Sequence, residues 1–241
     1  MLATTKGFVF KTTPYSETSV IAKVFTWHAG IQSYIVKGVR SAKGRNKQNM
    51  LQPLSYVDIA YYHNAKSEIQ YIKELKPAKQ WNSIPIDCSK TAIIFFMTEL
   101  LYKTVREEEP NQAMFNHIAR SVDMLDSMET NIASFPITFM LETTRYLGIE
   151  PLNNYSVSQP LFNLNEGEFV GIPSAFADTK CLLDAEQSLV LHQYMSNHYI
   201  TQQPPFQQRN ALLKSLIDYY KTHFDTMSNF QSHYVLHQVL Q

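Results

Sequence analysis

The spacing of apolar residues changes once along this chain, and the change separates two kinds of secondary structure. Before Pro77, apolar and polar residues alternate in short runs, which is the pattern of strands. After Pro77, apolar residues recur every three or four positions, which is the pattern of helices. We therefore predict an α+β chain, with a strand-rich domain at residues 1–80 and a helical domain at residues 81–241.

Five runs in the first domain have the character of strands. The clearest is Val20–Thr26, a β-branched run of alternating character. Five strands in about 75 residues fit a small closed barrel, and the OB-fold is the standard five-stranded barrel. A half-open sheet of another topology is the alternative. The predicted strands are approximately residues 2–11, 20–26, 31–39, 56–62 and 69–72, with a hairpin turn at residues 63–66.

The helical domain is interrupted by one segment rich in turn residues. A predicted helix of about 20 residues ends at Val105, and a later helix is stopped by Gly148 and Pro151. A hairpin-like insertion follows at about residues 151–183, with its tip at residues 165–168. The other predicted helices cover approximately residues 111–128, 132–147, 183–197, 207–224 and 230–240.

The two domains carry opposite charge, although the whole chain has a formal net charge of zero. Residues 1–80 contain 12 Lys and Arg and four Asp and Glu, a net charge of +8, so the rest of the chain carries −8. A charge asymmetry of this kind indicates a basic binding module joined to a second module of another character. The first domain is therefore expected to bind a polyanion.

One segment concentrates this positive charge. Residues 36–47 hold five cations and no acid, together with two glycines that let the backbone approach a ligand closely. The segment begins at a predicted strand end and continues into a loop, where OB-folds engage nucleic acid. A solvated basic loop is the alternative. We predict that phosphate groups are bound by Lys37, Arg40, Lys43, Arg45 and Lys47.

Exposed aromatic rings would add base stacking to these phosphate contacts, because every base presents a π-face. Aromatic residues in strands more often pack in the core or across strands. Tyr61 and Tyr62 are adjacent and face opposite sides, so at most one of them is a core residue. The candidates for stacking are Tyr15, Trp27, Tyr34, Tyr61 and Tyr62.

The sequence contains no recognisable catalytic motif. It has no GxSxG elbow, no CxxC or HExxH pair, and no glycine loop before a Lys-Ser/Thr pair. His233 and His237 are four residues apart on a predicted helix, but a zinc site needs three or four ligands. We predict no metal, no cofactor and no enzymatic activity. A metallohydrolase that uses His192, His198, His233 and His237 is the alternative from another class.

Cellular location is predicted from what the chain lacks. The two cysteines, Cys88 and Cys181, are too few and too far apart for a disulfide scaffold, which is compatible with a reducing cytoplasm. Lys6 is followed by an alternating pattern instead of the apolar core of a signal peptide. No apolar run approaches the roughly 18 residues of a membrane span. We expect a cytoplasmic protein.

Several motifs resemble the RecO family of bacterial recombination mediators. In the first domain these are Pro14–Ile21, Phe25-Thr26, Gly30 and Val36–Arg40, which resemble the family's amino-terminal OB domain. In the helical part, Leu141–Pro151 is similar to the end of the family's third helix. Residues 212–223 resemble its carboxy-terminal helix. The resemblance therefore covers nearly the whole length.

The resemblance implies a function that needs no covalent chemistry. RecO-like proteins bind single- and double-stranded DNA and anneal complementary strands. With RecR, they help RecA to replace single-stranded DNA-binding protein (SSB) at gaps. The resemblance thus implies DNA, RecR and the SSB carboxy-terminal tail as partners, and association with the nucleoid. An RNA-binding OB protein with a helical protein-docking domain is the alternative among binding proteins, and a purely structural adaptor is a third possibility.

Two further expectations concern the helical domain. Many RecO-like proteins place a four-cysteine zinc site after the third helix, but this region supplies only Cys181, so we predict that the zinc module is absent. The SSB tail is acidic and needs a local cation beside an apolar pocket. Arg120 and Arg145, on helices rich in apolar residues, are the candidates. Pairing of each with a nearby acid, such as Asp123 or Glu142, is the alternative.

Overall fold

The structure of the protein, a computed structural model, describes residues 1–41, 44–106, 109–173, 179–196 and 203–240. Five strands close into a barrel in the order β1-β2-β3-β5-β4, with β3 and β5 parallel and the other neighbours antiparallel. The prediction of a five-stranded OB-type barrel is confirmed. The strands are β1 (Leu2–Pro14), β2 (Val20–Thr26), β3 (Gly30–Val36), β4 (Tyr56–Tyr62) and β5 (Ile69–Pro77), and helix α1 (Arg45–Met50) lies between β3 and β4.

The barrel interior follows from the two-residue period of its strands, because successive side chains point to opposite faces. In β2, Val20, Ala22 and Val24 face inward and are buried. Leu51, which follows α1, belongs to the same core. The remaining buried members of the core are Val9, Tyr34, Val36, Val39, Val57 and Ile59.

Two predicted features of the basic segment are corrected by the structure. The third strand ends at Val36 and not at Val39, because residues 37–40 form a turn in which Gly38 has φ +74°. The segment is also not wholly a loop, since α1 begins at Arg45. Positive φ is incompatible with a continuing strand and is most readily adopted by glycine.

Helices α2 (Cys88–Thr104) and α3 (Gln112–Ser127) follow the barrel, and α3 covers the outer face of β1 and β2 around Phe8 and Phe25. Phe8 and Phe25 are fully buried there, although they point away from the barrel interior. Phe115 of α3 packs on both, with ring centroids 4.9 Å and 5.9 Å away. The chain accordingly divides into compact units at Met1–Asp126 and Ser127–Gln241. The change from strand to helix near residue 80 lies inside the first unit.

Asp126 attaches the segment before α2 to the end of α3. Its carboxylate accepts backbone N–H bonds from Asn82, Ser83 and Ile84 at 2.8–3.0 Å, and the Ser83 hydroxyl also donates to it. Partial burial raises the pKa of the Asp126 carboxyl, but these hydrogen bonds favour the charged form and the net effect lowers it. The buried Lys90 ammonium donates to the Asp126 carbonyl and the Ser83 hydroxyl.

The described part of the second unit consists of helices and a small two-stranded hairpin. Helix α4 ends at Gly148, whose φ of +72° forms the left-handed cap that glycine favours. Buried Tyr220 donates its hydroxyl to the Met140 carbonyl and so ties the last long helix to α4. The elements are a 3-10 turn (Ile132–Ser134), α4 (Phe135–Leu147), β6 (Leu161–Asn163), β7 (Glu168–Val170), α5 (Ala185–Ser196), α6 (Phe206–His223), a second 3-10 turn (Asp225–Asn229) and α7 (Ser232–Val239). None of the described helices is long and apolar enough to cross a membrane.

Candidate nucleic-acid interface

Three segments of the first unit meet at one end of the barrel. The segment after β3 contacts the β1–β2 turn, because Arg40 donates its backbone N–H to Thr18 and its guanidinium to the Ser16 carbonyl, at 3.1 Å and 3.2 Å. The start of β5 lies beside β3, with Tyr71 opposite Ile35. The three segments are the β1–β2 turn, the basic segment at residues 37–47 and the start of β5.

Two glycines and two side-chain bonds shape the basic segment. Gly38 adopts a positive φ, which glycine favours. A Cβ on Gly44 would lie only 2.1 Å from the Val39 carbonyl oxygen, so a larger residue at position 44 would force the backbone to shift. The Ser41 hydroxyl donates to the Gly38 carbonyl, and the Lys47 ammonium donates to the Lys37 carbonyl, both at 2.8 Å. The tight turn therefore holds Lys47 close to Lys37.

The predicted phosphate-binding residues converge in this segment as far as the structure describes them. Lys37, Arg40, Arg45 and Lys47 are all exposed. No carboxylate among the described residues forms an ion pair with any of these four. Lys43 lies outside the described residues. Unpaired cations on one short segment produce a local positive potential that attracts a polyanion.

Two exposed tyrosines lie next to these cations. Tyr62 of β4 and Tyr71 of β5 are directly opposite each other and remain 53% and 46% exposed. The Lys37 ammonium lies 5.3 Å from the centroid of the Tyr71 ring. Sequence reasoning named Tyr62 and missed Tyr71, although Tyr71 lies in the predicted fifth strand. The alternation of Tyr71 with inward-facing Ile72 was the available signal.

The other aromatic candidates differ in exposure. Tyr15 is exposed in the β1–β2 turn and is accessible for stacking. Tyr34 is fully buried in the barrel core, and burial raises the pKa of its hydroxyl, so its candidacy for stacking was wrong. Tyr61 packs edge-on against Tyr34, which confirms that only one of the adjacent pair faces the core. Trp27 is half-buried and packs edge-on against Phe115.

A cleft of about 690 Å³ elsewhere in the same unit has a different electrostatic character. It lies between the barrel and α3, and its charged lining residues include Lys6, Asp58, Glu74 and Lys76. Lys76 pairs with Glu74 at 2.7 Å, and Asp58 lies between Lys6 and Lys76 in the strand register. Because these charges cancel, the cleft lacks the positive potential of the basic segment.

Comparison with known proteins agrees with this architecture. Residues 1–81 match the family described as "Recombination protein O N terminal", and residues 86–159 match "Recombination protein O C terminal". The DNA repair protein RecO of Flavobacterium psychrophilum is 34% identical over 98% of both chains. The protein of the same name from Christiangramia forsetii is 31% identical over 99% of both. The chain belongs to the RecO family. It is therefore a member of a family of DNA repair proteins.

The two arginines of this RecO-family chain that are predicted to bind the SSB tail lie in different units. Arg145 of α4 is exposed, and its guanidinium donates two bonds to Glu150, at 2.8 Å and 3.1 Å. Arg120 is exposed on α3. Burial, together with the nearby charge of Arg120, lowers the pKa of the neighbouring His117 to about 4. Each arginine is thus a separate candidate.

The histidines proposed for a metallohydrolase have aromatic or polar neighbours. The His192 ring stacks on Tyr155, and its Nδ1 atom is hydrogen-bonded to Asn153 Oδ1 and Ser196 Oγ. His233 stacks on Phe230, His237 lies edge-on to Phe206, and His198 falls outside the described residues. Within the described ranges, no three His, Cys, Asp or Glu side chains are grouped so as to hold a metal ion. The absence of zinc stays a prediction for this RecO-family chain.

Proposed function

We propose that this protein is a non-enzymatic DNA-binding mediator of recombinational repair. It binds single- and double-stranded DNA at the barrel end formed by the basic segment, and it anneals complementary strands. With RecR, it helps RecA to replace SSB at single-stranded gaps. The observation that carries the proposal is the group of four exposed cations without a described carboxylate partner beside two exposed tyrosines.

Support comes first from electrostatics. Lysine and arginine that neutralise phosphates release condensed counterions, so binding is strong at low salt and falls steeply as salt rises. Contacts to phosphate carry no sequence information, which suits a protein that must act at any gap. The four cations lie on one turn and one short helix and form a compact patch of positive charge.

Support comes second from the tyrosine pair. Tyr62 and Tyr71 present rings on the outer surface of β4 and β5, next to Lys37. Stacking of bases on aromatic rings tolerates any sequence and contributes about 1–3 kcal/mol per base. Stacking requires unpaired bases, whereas phosphate contacts serve both single and double strands. The same surface therefore accounts for binding to both forms of DNA.

Charge reversal within the basic segment tests the proposal. The variant Lys37→Glu/Arg40→Glu/Arg45→Glu is expected to lose single-stranded DNA binding and annealing at moderate salt. Its melting temperature should change little, since these side chains are exposed. The matched control, Lys180→Glu/Lys214→Glu/Lys221→Glu, makes the same change in net charge at exposed positions of the second unit. Equal loss in both variants, or no loss in the first, would refute the basic segment as the binding site.

Competition separates DNA repair from the RNA-binding alternative. A labelled DNA oligomer bound to the full chain is displaced with unlabelled DNA or RNA of the same sequence. The proposal expects DNA to compete at least as well as RNA, and a strong preference for RNA would overturn it. A salt series on the same complex is expected to give a log–log slope of several units, at about 0.7 per phosphate contacted in a single strand.

The partner part of the proposal concerns Arg120 and Arg145. Residues 81–241 carry a net charge of −8, so an acidic tail is attracted only at a local cation. At Arg145 the tail carboxylate would have to displace Glu150. Arg120 is exposed on α3. An SSB-tail peptide is titrated into wild type, Arg120→Ala and Arg145→Ala. If both variants bind like wild type, neither arginine receives the tail.

A further inference from the structure

Outside the basic segment, two lysines on neighbouring strands share a single aromatic ring. Lys11 of β1 and Lys23 of β2 are directly opposite each other in the strand register. Their ammonium groups lie 4.9 Å and 5.7 Å from the centroid of the Tyr102 ring on α2. Both lysines are exposed, and Tyr102 is half-buried.

A break in the register of β1 produces this arrangement. Val9 pairs with Val24 and Lys11 pairs with Lys23, so Phe10 is an extra residue at a β-bulge. Phe10 is buried and stacks on Phe25 under the helices. The bulge allows the next residue, Lys11, to point outward as well, where it meets Lys23.

The pair is electrostatically unfavourable in the protein alone. Like charges directly opposite each other across two antiparallel strands destabilise the sheet. No carboxylate among the described residues forms an ion pair with either lysine. The Tyr102 ring attracts each ammonium, but it supplies no negative charge to offset the repulsion between them. An anion bound between the two ammonium groups would attract both of them and offset this repulsion.

The position of the pair indicates which anion it meets. Lys23 lies opposite Ser33 of β3, whereas Ile21, two residues earlier in β2, lies opposite Ile35. Ile35 in turn lies beside Tyr71, the exposed ring of the candidate interface. Two residues of strand span about 7 Å. Tyr71 and the lysine pair therefore belong to two neighbouring sets of outward-facing cross-strand partners.

We propose that Lys11, Lys23 and Tyr102 form a second phosphate-binding subsite for the nucleic-acid backbone. A single strand held at the basic segment continues across the outer surface of β3 and β2 to this subsite. There its phosphodiester charge is shared by the two ammonium groups. The inference rests on the proposed DNA-binding function and extends it. Because the subsite contacts only phosphate, it adds affinity without sequence preference.

The test compares the salt dependence of single-stranded DNA binding by the full chain and by Lys11→Gln/Lys23→Gln. Losing the contact to this one phosphate is expected to make the log–log slope less steep by about 0.7. The melting temperature should not fall, since removing two opposed cations relieves repulsion. The matched control, Lys214→Gln/Lys221→Gln, removes the same charge from exposed positions in the second unit and should leave the slope unchanged. An equal change in the control would overturn the subsite.

A second measurement locates the contact directly. Acetylation of surface lysines is followed by mass spectrometry, with and without a saturating single-stranded oligonucleotide. Lys11 and Lys23 should be protected by DNA while Lys214 is not.

The outcomes separate this inference from the proposed function. If wild type does not bind DNA, the proposed function and the subsite both fail. If wild type binds DNA but Lys11 and Lys23 are unprotected and the slope of their double variant is unchanged, the subsite alone fails.

Discussion

Two sides of the barrel both carry outward-pointing aromatic residues, but these residues are buried on one side and exposed on the other. On β1 and β2, the outward-pointing rings of Phe8 and Phe25 are fully buried beneath Phe115 of α3. On β4 and β5, the outward-pointing rings of Tyr62 and Tyr71 remain about half exposed. The part of the first side around Phe8 and Phe25 is thus in the core of the unit, whereas Tyr62 and Tyr71 on the second side are accessible to a ligand.

Strand alternation alone therefore does not show whether an outward-facing residue of a barrel is buried or exposed. An outward-facing aromatic residue stabilises the fold where a helix covers it and offers a stacking surface where no helix does. The two fully buried rings are phenylalanines and the two half-exposed rings are tyrosines, in keeping with the polar end that lets a tyrosine ring face water. Substitutions on each side should therefore affect different measurements.

The largest expected effect is on the covered side. Phe115→Ala removes the ring that packs on Phe8 and Phe25, and truncation of a buried phenylalanine lowers the free energy of unfolding by about 3–5 kcal/mol. Denaturant unfolding of the full chain measures this loss. Tyr62→Ala, on the open side, serves as the control and should cost less than about 1 kcal/mol. Equal losses would mean that the two sides are not energetically distinct.

Acid should weaken the covering helix α3 through His117. Burial, and to a smaller extent the charge of Arg120, lowers the pKa of His117 from the ordinary 6.5 to about 4. As pH falls from 6.5 towards 4, the unfolded chain takes up a proton that the folded chain does not. Stability is therefore full above pH 6.5 and falls by up to about 3 kcal/mol on acidification to pH 4. Unfolding free energies at pH 7 and pH 4 measure this loss.

The control for this pH effect is His117→Gln, which cannot take up the proton. Its acid-induced loss should be smaller than that of wild type by about the same amount, whatever its stability at pH 7. An identical loss in both proteins would show that other groups cause the acid sensitivity.

On the open side, the expected effect is on binding and not on stability. Tyr71→Ala should weaken single-stranded DNA binding by about 1–3 kcal/mol, the contribution of one stacked base. Tyr234→Ala provides a control at an exposed tyrosine of the second unit, 66% exposed. Fluorescence anisotropy with a labelled oligonucleotide compares the two variants. Unchanged affinity in Tyr71→Ala would mean that the open side binds backbone without stacking.

The smallest effect concerns a tyrosine inside the same barrel. The Tyr34 hydroxyl is buried with no hydrogen-bond partner among the described residues. Because an unsatisfied buried hydroxyl is destabilising, Tyr34→Phe should leave stability unchanged or raise it by up to about 1 kcal/mol. Tyr220→Phe, which loses a bond to the Met140 carbonyl, should instead lower stability by about 1 kcal/mol. Thermal unfolding of both variants measures whether the two changes in stability have opposite signs.

Much of the local structure was predictable, because it depends on neighbours along the chain. The limits of β2 and β4 follow from alternation, and the end of α4 follows from Gly148. The basic segment was recognised from its composition, since charge density needs no tertiary contact to be read. The internal shape of this segment was not predictable. The positive φ of Gly38 ends the predicted strand early, and helix α1 begins at Arg45.

The features that depend on contacts distant in sequence were decided only by the tertiary structure. The burial of Phe8 and Phe25 requires Phe115, about 90 or more positions later. The convergence of Lys11 and Lys23 requires a bulge at Phe10 and a helix that brings Tyr102 beneath them. By itself, the sequence determined the barrel, the helices and the basic character of residues 37–47. Tertiary packing decided which outer surface is covered, because strand periodicity specifies the direction of a side chain but not the element that packs against it.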